Sequence, residues 1–406
     1  MSLHMSENCK FVEGYKNAAI YDFNNGKVYS INTYGKNLIK ESLNGKNINL
    51  SKKKITYITE LTSLKLISTE KKLETNIIKE TPTLNYAWLE LTEMCNLNCI
   101  HCYGQFGCPN INQENVLTDK DWKNIIDKLI KIGCKEIQLI GGEPMAYKNF
   151  FEILKYAHEK GMQRIDVFTN GTYINENNIK WLKINNANVR VSIYGHDKEL
   201  HDKITKQKDS FIKSKKALQL LKKYEINTTI AVVIMKENEK YLQEIKDYIK
   251  SLGHIYNGYD VIRPSCITDN KEHSISNLKI LENRYSTKPE FWTSQSSFNR
   301  NHFYNSCWNG KIAITSTGDI IPCIFARDDI VGNIKKDSMK SITDNILKKW
   351  CITKDDIDVC KDCEYRYCCH DCRPLARGIN GNINSKYPRC CYNPYKRKME
   401  KDQGLC

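Results

Sequence analysis

The sequence has no run of about 18 apolar residues, so we expect no part of it to span a membrane. It also lacks the apolar core of a signal peptide, which makes the cytoplasm the expected compartment. We expect residues 1–4 to be a cloning remnant and Met5 the native start. Acidic residues are outnumbered, and the net charge is +15. Because the lysines are scattered and no aromatic and basic surface suited to base stacking stands out, we expect no nucleic-acid partner, although an acidic peptide partner is compatible with this charge.

Cysteine, in contrast, is abundant, with 18 residues in the chain. Thiols stay reduced in the cytoplasm, so a disulfide framework is not expected there. Three cysteines lie together at Cys95, Cys99 and Cys102, and most of the others fall between Cys307 and Cys391. Clustering at such short spacings is typical of metal ligation.

The chain divides into zones of different pattern. Residues 5–80 combine a hairpin signal at Ala18–Ile31 with two short helical patterns, which predicts a winged-helix-like α+β module. Residues 83–265 alternate six strand candidates with amphipathic helices, which predicts an α/β fold, a partial (β/α)6 TIM-like barrel. Residues 266–299 form a bridging segment to residues 300–395, a Cys-rich zone in which we expect little periodic structure and little apolar core. The strand candidates are Tyr86–Leu91, Glu136–Ile140, Arg164–Thr169, Asn188–Tyr194, Asn227–Met235 and Tyr259–Arg263.

The first cysteine group follows the first of these strands as Cys95-x3-Cys99-x2-Cys102. Three thiolates in one short loop can hold three irons of a cubane and leave the fourth iron open to a small chelating molecule. Zinc is the lesser alternative, because it usually takes a fourth Cys or His ligand, for which His101 or Cys108 would be available.

Together with Gly141-Gly142-Glu143-Pro144 at the end of the second strand, this triad resembles the radical S-adenosylmethionine (SAM) superfamily. The resemblance implies that the open iron of a 4Fe–4S cluster binds SAM and that reductive cleavage yields a 5′-deoxyadenosyl radical. It further implies that Gly141, Gly142 and Glu143 hold the SAM amino group. Glycines allow a close backbone approach, and a carboxylate offsets an ammonium group.

Weaker matches to the superfamily lie at the ends of later strands. Asn170 follows the third strand and Ser192 ends the fourth, and the resemblance implies that both contact SAM. Val233 on the fifth strand would flank the adenine, although an ordinary core position explains it equally well. His201-Asp202 also fits, but Thr205 stands where relatives often carry an arginine, which puts a carboxylate clamp at this point in doubt.

The C-terminal cysteines resemble the SPASM extension of some radical SAM enzymes, which carries two auxiliary 4Fe–4S clusters. The pattern begins with Cys307-x10-Gly318-x4-Cys323 and continues through Cys360-x2-Cys363. The resemblance implies two ligand sets, which are Cys360, Cys363, Cys369 and Cys390 for one cluster and Cys307, Cys323 and Cys372 for the other. A zinc ribbon is the lesser alternative, because the Gly-x4-Cys element is not a ribbon feature.

Several ligand positions stay open within this pattern. Cys369 is favoured over Cys368, which would pack as a small apolar side chain, and Cys390 is favoured over Cys391. The three-cysteine cluster would either keep an open iron, able to bind a substrate thiolate, or recruit Cys266 or Cys351.

Two further segments, Cys363–Arg373 and Tyr392–Tyr395, resemble radical SAM maturases of ribosomally made, Cys-rich peptides. The implied partners are a Cys-rich precursor peptide with a leader and an electron donor such as ferredoxin or flavodoxin. The leader would add a strand to an edge of the hairpin at Ala18–Ile31. The implied reaction is a thioether crosslink from a cysteine sulfur to carbon. The alternatives are a formylglycine-generating enzyme similar to anaerobic sulfatase maturases and an iron–sulfur electron-transfer protein that does not use SAM. No general base can be selected from the sequence.

Overall fold

The computed structural model describes residues 2–46, 48–71, 75–104, 106–107, 116–256, 258–263, 270–275, 292–390 and 392–396. Cys108, Cys266 and Cys391, and most of the bridging segment, therefore lie outside the described residues. No helix in the described part of the chain is long and apolar enough to cross a membrane.

The N-terminal zone is an α+β module. Its elements in chain order are β1 (His4–Met5), β2 (Cys9–Glu13), β3 (Ala18–Asp22), β4 (Lys27–Ile31), α1 (Thr33–Leu43), α2 (Lys52–Ser63) and β5 (Ile67–Ser68). The predicted hairpin is confirmed, because β3 pairs antiparallel with β4 and β2 completes a three-stranded sheet. Side chains of Asn32 and Ser51 cap the two helices. Leu3 is 1% exposed, so residues before Met5 are part of the fold. A winged-helix identity for the module stays a prediction.

Both faces of the three-stranded sheet are covered, which is why all five residues of β3 are buried. Alternate side chains such as Ala18 and Ile20 pack with α1 and α2 in one apolar cluster. The intervening side chains, such as Ala19 and Tyr21, pack against the Cys-rich zone. Since successive residues of a strand point to opposite faces, the module is fixed between its own helices and the C-terminal zone.

The central zone forms the barrel. Its elements are β6 (Tyr86–Glu90), α3 (Asp119–Lys131), β7 (Glu136–Ile140), α4 (Phe150–Glu159), β8 (Arg164–Thr169), α5 (Ile179–Ile184), β9 (Asn188–Ser192), α6 (Lys198–Thr205), α7 (Ser210–Lys223), β10 (Thr228–Ala231), β11 (Val233–Ile234), α8 (Leu242–Leu252), β12 (Ile255–Tyr256) and β13 (Asp260–Val261). Strands β6 to β10 pair in parallel in chain order, and β12 follows β10. This topology confirms the predicted partial barrel.

The last two strand positions differ from the sequence prediction. The single strand predicted at Asn227–Met235 is divided into β10 and β11, and the sixth position holds β12 and β13, which pair with β10 and β11 in turn. The predicted strand at Tyr259–Arg263 shortens to β13, and β12 was not predicted. Helix α6 was also missed, although Asp197 caps it by accepting from the backbone N–H of Leu200.

The Cys-rich zone contains more regular structure than predicted. Its elements are α9 (Gln295–Phe303), β14 (Lys311–Ile314), β15 (Asp319–Ile321), β16 (Gly332–Asn333), α10 (Met339–Trp350) and α11 (Arg373–Asn380). Strand β14 pairs in parallel with β6, so the barrel sheet continues into β15 and β16. Trp308, Ile312 and Trp350 are buried in the main core. The expectation that this zone buries little core is therefore wrong, because it adds its apolar residues to the barrel rather than forming a core of its own.

Candidate active site

A cleft of about 640 Å³, partly open to solvent, lies at the carboxyl ends of β6 to β9. Cys95, Cys99 and Cys102 all line it, and so do Gly141 and Gly142. The carboxyl ends of neighbouring parallel strands meet at one edge of a sheet, which explains why residues far apart in the sequence share this cleft.

The glycines allow two loops to run in direct contact. The backbone N–H of Gly142 donates to the carbonyl of Thr92 at 2.8 Å, and that of Glu143 donates to the carbonyl of Met94, also at 2.8 Å. A Cβ atom on Gly141 or Gly142 would overlap these carbonyl-bearing residues, and Gly141 has a φ of +150°. The loop just before the cysteine triad is thus held by a segment that only glycine can form at this distance.

Helix α6 holds the cysteine loop from the other side. The backbone N–H of Asn98 donates to the carbonyl of Thr205 at 3.0 Å, and that of Ile100 donates to the carbonyl of Ile204 at 3.1 Å. These carbonyls belong to the last turn of a helix and have no partner within it. The Thr205 hydroxyl bonds to that of Ser210 at 2.7 Å, so this position serves the structure rather than a clamp.

The neighbouring residues His201 and Asp202 also have internal partners. His201 Nδ1 accepts the backbone N–H of Tyr194 at 3.2 Å, and burial lowers the pKa of His201 to about 4, so its ring is neutral. The Asp202 carboxylate accepts from the Ser210 hydroxyl at 2.8 Å and the Phe211 N–H at 2.9 Å. Neither side chain lines the cleft.

The Glu143 carboxylate lies behind the wall of the cleft. It is fully buried and accepts hydrogen bonds from the Thr169 hydroxyl at 2.7 Å and from the backbone N–H groups of Asn170 and Met145 at 2.7 and 3.1 Å. Burial raises the pKa of Glu143 to about 7, and these donors oppose the rise. The side chain therefore ties the end of β7 to the end of β8, and its predicted contact with the SAM amino group stays a prediction.

Of the remaining predicted SAM contacts, the structure brings two to the cleft. Asn170 and Ser192 both line it, and Asn170 Nδ2 donates to Asn96 Oδ1 at 3.0 Å and lies 4.0 Å from Cys95 Sγ. Val233 does not line the cleft and packs against the main core as part of β11. The division of the predicted fifth strand before Val233 accounts for this placement.

The donor set fits an iron–sulfur cluster. Burial raises the pKa of Cys95 to about 11 and raises that of Cys99 too, so these thiols bind as thiolates only where a cation compensates for the lost hydration. His101 Nδ1 is buried at the same cleft and has no hydrogen-bond partner within the described part of the chain. Three thiols in one short loop suit a cubane, in which each thiolate binds a different iron.

Three cysteines of the C-terminal zone form a second group. Burial raises the pKa of Cys323 to about 12, and the charges of Cys307 and Cys372 add to the rise, which places the three thiols together. Cys351, a suggested fourth ligand, is exposed at the end of α10 beside Tyr304 and lies outside this group. The grouping matches the predicted ligand set, and ligation itself stays a prediction.

A third group contains four cysteines. Burial is the main cause that raises the pKa of Cys360, Cys363 and Cys390, and the charge of Cys369 adds to the rise at all three, which places the four thiols together. Cys368 points elsewhere, because its thiol donates to the carbonyl of Tyr365 at 3.2 Å in an apolar cluster shared with the N-terminal sheet. The structure thus places Cys369 rather than Cys368 with the other three.

Buried cations accompany the two C-terminal groups, and sequence reasoning missed them. Lys354 is 6% exposed, and its ammonium lies 3.1 Å from Asp371, which also pairs with the buried Arg373. Arg263 lies near Cys372, where its charge opposes the rise of the thiol pKa that burial causes. Positive charge beside the cysteines stabilises their thiolate forms. The sequence could not show this, because Lys354 and Arg263 come close to the cysteines only in the folded chain.

A buried ion pair joins the first cleft to the C-terminal zone. Glu90, at the end of β6, is fully buried, and both its oxygens accept from Arg327 Nη1 at 2.6 and 2.5 Å. Tyr103, which follows the first triad, donates its hydroxyl to Glu90 at 3.3 Å and packs its ring against Phe325 at 5.2 Å. In the sequence, this pair could have been suspected only from Glu90, an acidic residue at the end of a predicted strand. Its partner, Arg327, lies 237 residues away.

Two family models match the chain. Residues 89–249 match the radical SAM superfamily, and residues 307–364 match the SPASM iron–sulfur cluster-binding domain. The chain therefore belongs to the radical SAM enzymes that carry a SPASM domain, as the resemblance predicted, and its cofactors are SAM and 4Fe–4S clusters.

Among curated relatives, an AdoMet-dependent heme synthase of Methanosarcina barkeri is 26% identical over 77% of this chain and 97% of that protein. AlbA of Bacillus subtilis, a protein of antilisterial bacteriocin subtilosin biosynthesis, is 28% identical over 67% of this chain and 62% of its own length. Two solved structures share the fold. The anSMEcpe structure with bound AdoMet has a TM-score of 0.59 at 20% identity and covers 76% of this chain and 93% of its own. SuiB of Streptococcus suis bound to precursor peptide SuiA has a TM-score of 0.59 at 15% identity and covers 96% of this chain and all of its own.

Proposed function

We propose that this enzyme matures a ribosomally made, Cys-rich peptide, that the N-terminal module binds the leader of that peptide, and that the reaction forms thioether crosslinks from cysteine sulfur to carbon. The observation that carries the proposal is the three-stranded N-terminal sheet, which is fixed against the Cys-rich zone and, as far as the described residues show, has most of one edge unpaired. The similarity to SuiB supports it, because that match extends over 96% of this chain and so includes most of the module.

The edge of the sheet formed by β2 is occupied. The Thr75 hydroxyl donates to the carbonyl of Cys9 at 3.4 Å, and Arg366 donates to the carbonyl of Glu13 at 2.7 Å. Just beyond the strand, the backbone N–H of Tyr15 donates to the carbonyl of Asp362 at 2.7 Å. A leader strand would have to displace these partners to pair there.

Among the described residues, backbone partners of the edge formed by β4 are found only at its start. Lys27 forms an isolated antiparallel bridge with Trp292, in which the N–H of Thr293 donates to the carbonyl of Gly26 at 2.7 Å. Because the bond joins the residues next to the bridged pair, the N–H and C=O of Lys27 itself point toward β3. These groups alternate in direction along a strand, so the N–H and C=O of Ser30 point to the outer edge. An extended leader can therefore add a fourth strand beside Ser30, with main-chain hydrogen bonds giving affinity and side-chain pockets giving selectivity.

The module is in direct contact with the Cys-rich zone. The Tyr21 hydroxyl donates to the carbonyl of Glu364, between two cysteines of the four-cysteine group, at 3.0 Å. When bound, the first cluster and SAM supply a 5′-deoxyadenosyl radical, which removes a hydrogen atom from the substrate. The chain's own contribution is to shield that chemistry, for which the rings of Tyr103, Phe106 and Phe325 form one contiguous wall.

The leader site can be tested by substitution at Ser30. Ser30→Pro removes the outward N–H and is tolerated at an edge strand, whereas Ser30→Ala removes the hydroxyl and keeps the N–H. We expect the proline variant to bind the precursor at least tenfold more weakly and the alanine variant to bind like the wild type. Equal binding by all three proteins would rule out leader pairing at β4.

The bond type is tested by mass spectrometry of a precursor treated anaerobically with enzyme, SAM and reductant. A suitable precursor is the product of a small Cys-rich reading frame beside the gene. A thioether crosslink removes two hydrogens and keeps every sulfur in the peptide. No such loss, or the loss of sulfur, would contradict the proposed linkage.

A second candidate is formylglycine formation, which the similarity to anSMEcpe favours. Oxidation of a cysteine to formylglycine removes its sulfur, so the same spectrum separates the two reactions. Removal of residues 1–80 separates them again, because the second candidate requires no leader module. An electron-transfer protein that does not use SAM, the third possibility, would release no 5′-deoxyadenosine.

A further inference from the structure

The loop that carries the first cysteine triad reaches the surface next to an exposed aromatic residue. Tyr173 is 38% exposed, and Asn96 Nδ2 donates to the hydroxyl of the preceding residue, Thr172, at 2.8 Å. Burial, followed by the charges of Glu143 and Cys95, raises the pKa of Tyr173, which places its ring near the Cys95 thiol. Tyr173 is therefore an exposed aromatic residue beside the loop that carries Cys95.

A concentration of lysine lies on the same side of the cysteine loop. Residues 203–216, the α6–α7 corner, contain six lysines and one acidic residue, against roughly two basic residues expected from 62 in a chain of 406. All six are exposed, namely Lys203, Lys206, Lys208, Lys213, Lys215 and Lys216.

This corner is in direct contact with the cluster loop. The carbonyl of Thr205 accepts from the N–H of Asn98, which is itself exposed and immediately precedes Cys99. The Asp209 carboxylate is occupied, because Lys198 holds it in an ion pair at 2.5 Å and Lys208 and Lys213 lie near enough to help lower its pKa. The corner thus presents exposed lysines beside the loop that carries the first cysteine triad.

The loop packing also connects the corner to Tyr173. The Ser214 hydroxyl of α7 donates to the carbonyl of Asn170 at 2.7 Å, and Gly171 leaves space for α7 to lie against this loop. An aromatic residue beside a rim of charge is the usual composition of a protein interface, and the charge mainly increases the association rate and the specificity.

We propose that the α6–α7 corner, with Tyr173, docks a small acidic one-electron carrier protein of the iron–sulfur or flavin type. This inference rests on the proposed function. SAM cleavage takes up one electron, which the reduced carrier loses, and formation of the thioether bond from a carbon radical and a thiolate releases one electron, which an oxidised auxiliary cluster can accept. No covalent bond forms in the complex with the carrier. The peptide leader does not compete for this surface, because the N-terminal module contacts the Cys-rich zone through residues such as Asp362 and Glu364.

The test compares two triple variants with equal charge change. Lys203→Glu/Lys206→Glu/Lys208→Glu reverses the corner. Lys128→Glu/Lys131→Glu/Lys135→Glu reverses exposed lysines at the opposite, amino-terminal end of the barrel strands, where α3 leads into β7. Binding of each holoenzyme to an oxidised ferredoxin and to an oxidised flavodoxin is measured by calorimetry at low and high salt. SAM cleavage is measured with each reduced carrier and, separately, with dithionite.

For the corner variant we expect at least tenfold weaker carrier binding at low salt and a raised KM for the carrier, with both differences shrinking as salt screens the charges. Its cleavage with dithionite should equal that of the wild type, and the control variant should match the wild type throughout. Unchanged carrier binding, an equal loss in the control variant, or a loss confined to precursor-peptide binding would overturn the proposal. Absence of cleavage by the wild type with dithionite would refute the proposed function instead, since carrier binding is read independently.

Discussion

The buried pair of Glu90 and Arg327 gives a stability prediction that can be worked from the structure. Replacing Arg327 with Met keeps a long apolar side chain but removes the charge from a partner that is fully buried, while Arg327 itself is only 13% exposed. Breaking such a pair costs about 3–5 kcal/mol because one charge is left without compensation. The Tyr103 hydroxyl, at 3.3 Å, remains as a weak donor, so we expect a loss of about 3–4 kcal/mol and a fall in Tm of about 4–5 °C.

The pH dependence of this loss has a definite sign. Burial already raises the pKa of Glu90 above its usual range, and Arg327 is the main group that opposes the rise. Without Arg327 the pKa of Glu90 in the folded protein rises further above its value in the unfolded chain. The folded protein is then most stable when Glu90 is protonated, and it loses stability as the pH increases through the folded-state pKa of Glu90. We therefore expect the gap between Arg327→Met and wild type to narrow as pH falls from 8 to 5.5.

Anaerobic thermal unfolding, followed by circular dichroism in both buffers, measures the gap. The control is Glu90→Gln/Arg327→Met, which leaves a neutral amide in place of the unpaired acid. Its gap should be smaller and independent of pH. A single variant that loses less than about 1 kcal/mol, or whose gap widens at low pH, would refute the reasoning about an uncompensated buried charge.

Other predictions concern the cysteine groups and the glycines. Cys369→Ala should lose about four irons per chain together with the spectrum of one auxiliary cluster. Cys368→Ala should keep all its iron and lose only about 1–2 kcal/mol of stability through poorer packing. Equal iron loss in both variants would contradict the grouping. Gly142→Ala should force apart the two loops at the cleft and reduce SAM cleavage and SAM binding, with the far-ultraviolet spectrum unchanged. The control is Gly161→Ala, at a helix end where the added methyl meets open space but the φ of +84° strains the backbone away from the cleft, and its SAM cleavage should stay normal. Cleavage that is normal in Gly142→Ala would exclude the close approach as a requirement.

The sequence predicted those features whose apolar pattern or cysteine spacing lies within one short segment of the chain. Strands β7 and β8 have the predicted bounds, because their apolar patterns extend without interruption over Glu136–Ile140 and Arg164–Thr169. The first cysteine group follows from spacing as well, since Cys95, Cys99 and Cys102 share one short loop, whereas the two C-terminal groups were implied by the family resemblance.

What could not be predicted depends on distant partners. Lys311–Ile314 reads as an unremarkable short segment, and only its pairing with β6 makes it part of the barrel sheet. Glu143 lies in a recognisable motif, yet the donors that bond its carboxylate come from the turn after it and from the end of β8, and the motif indicates neither. The placement of Val233 could not be predicted either, because it depends on the division of the strand before it, and the contacts of both residues with SAM stay predictions.

The most direct test of the central claim is 5′-deoxyadenosine formation by anaerobically reconstituted protein given SAM and dithionite. The wild type should form the nucleoside. The variant in which Cys95, Cys99 and Cys102 are all replaced by alanine should form none, while keeping the auxiliary iron, about eight of an expected twelve atoms per chain. Nucleoside formation by that variant, or its absence with the fully loaded wild type, would contradict the assignment of the first cleft as the site of SAM cleavage.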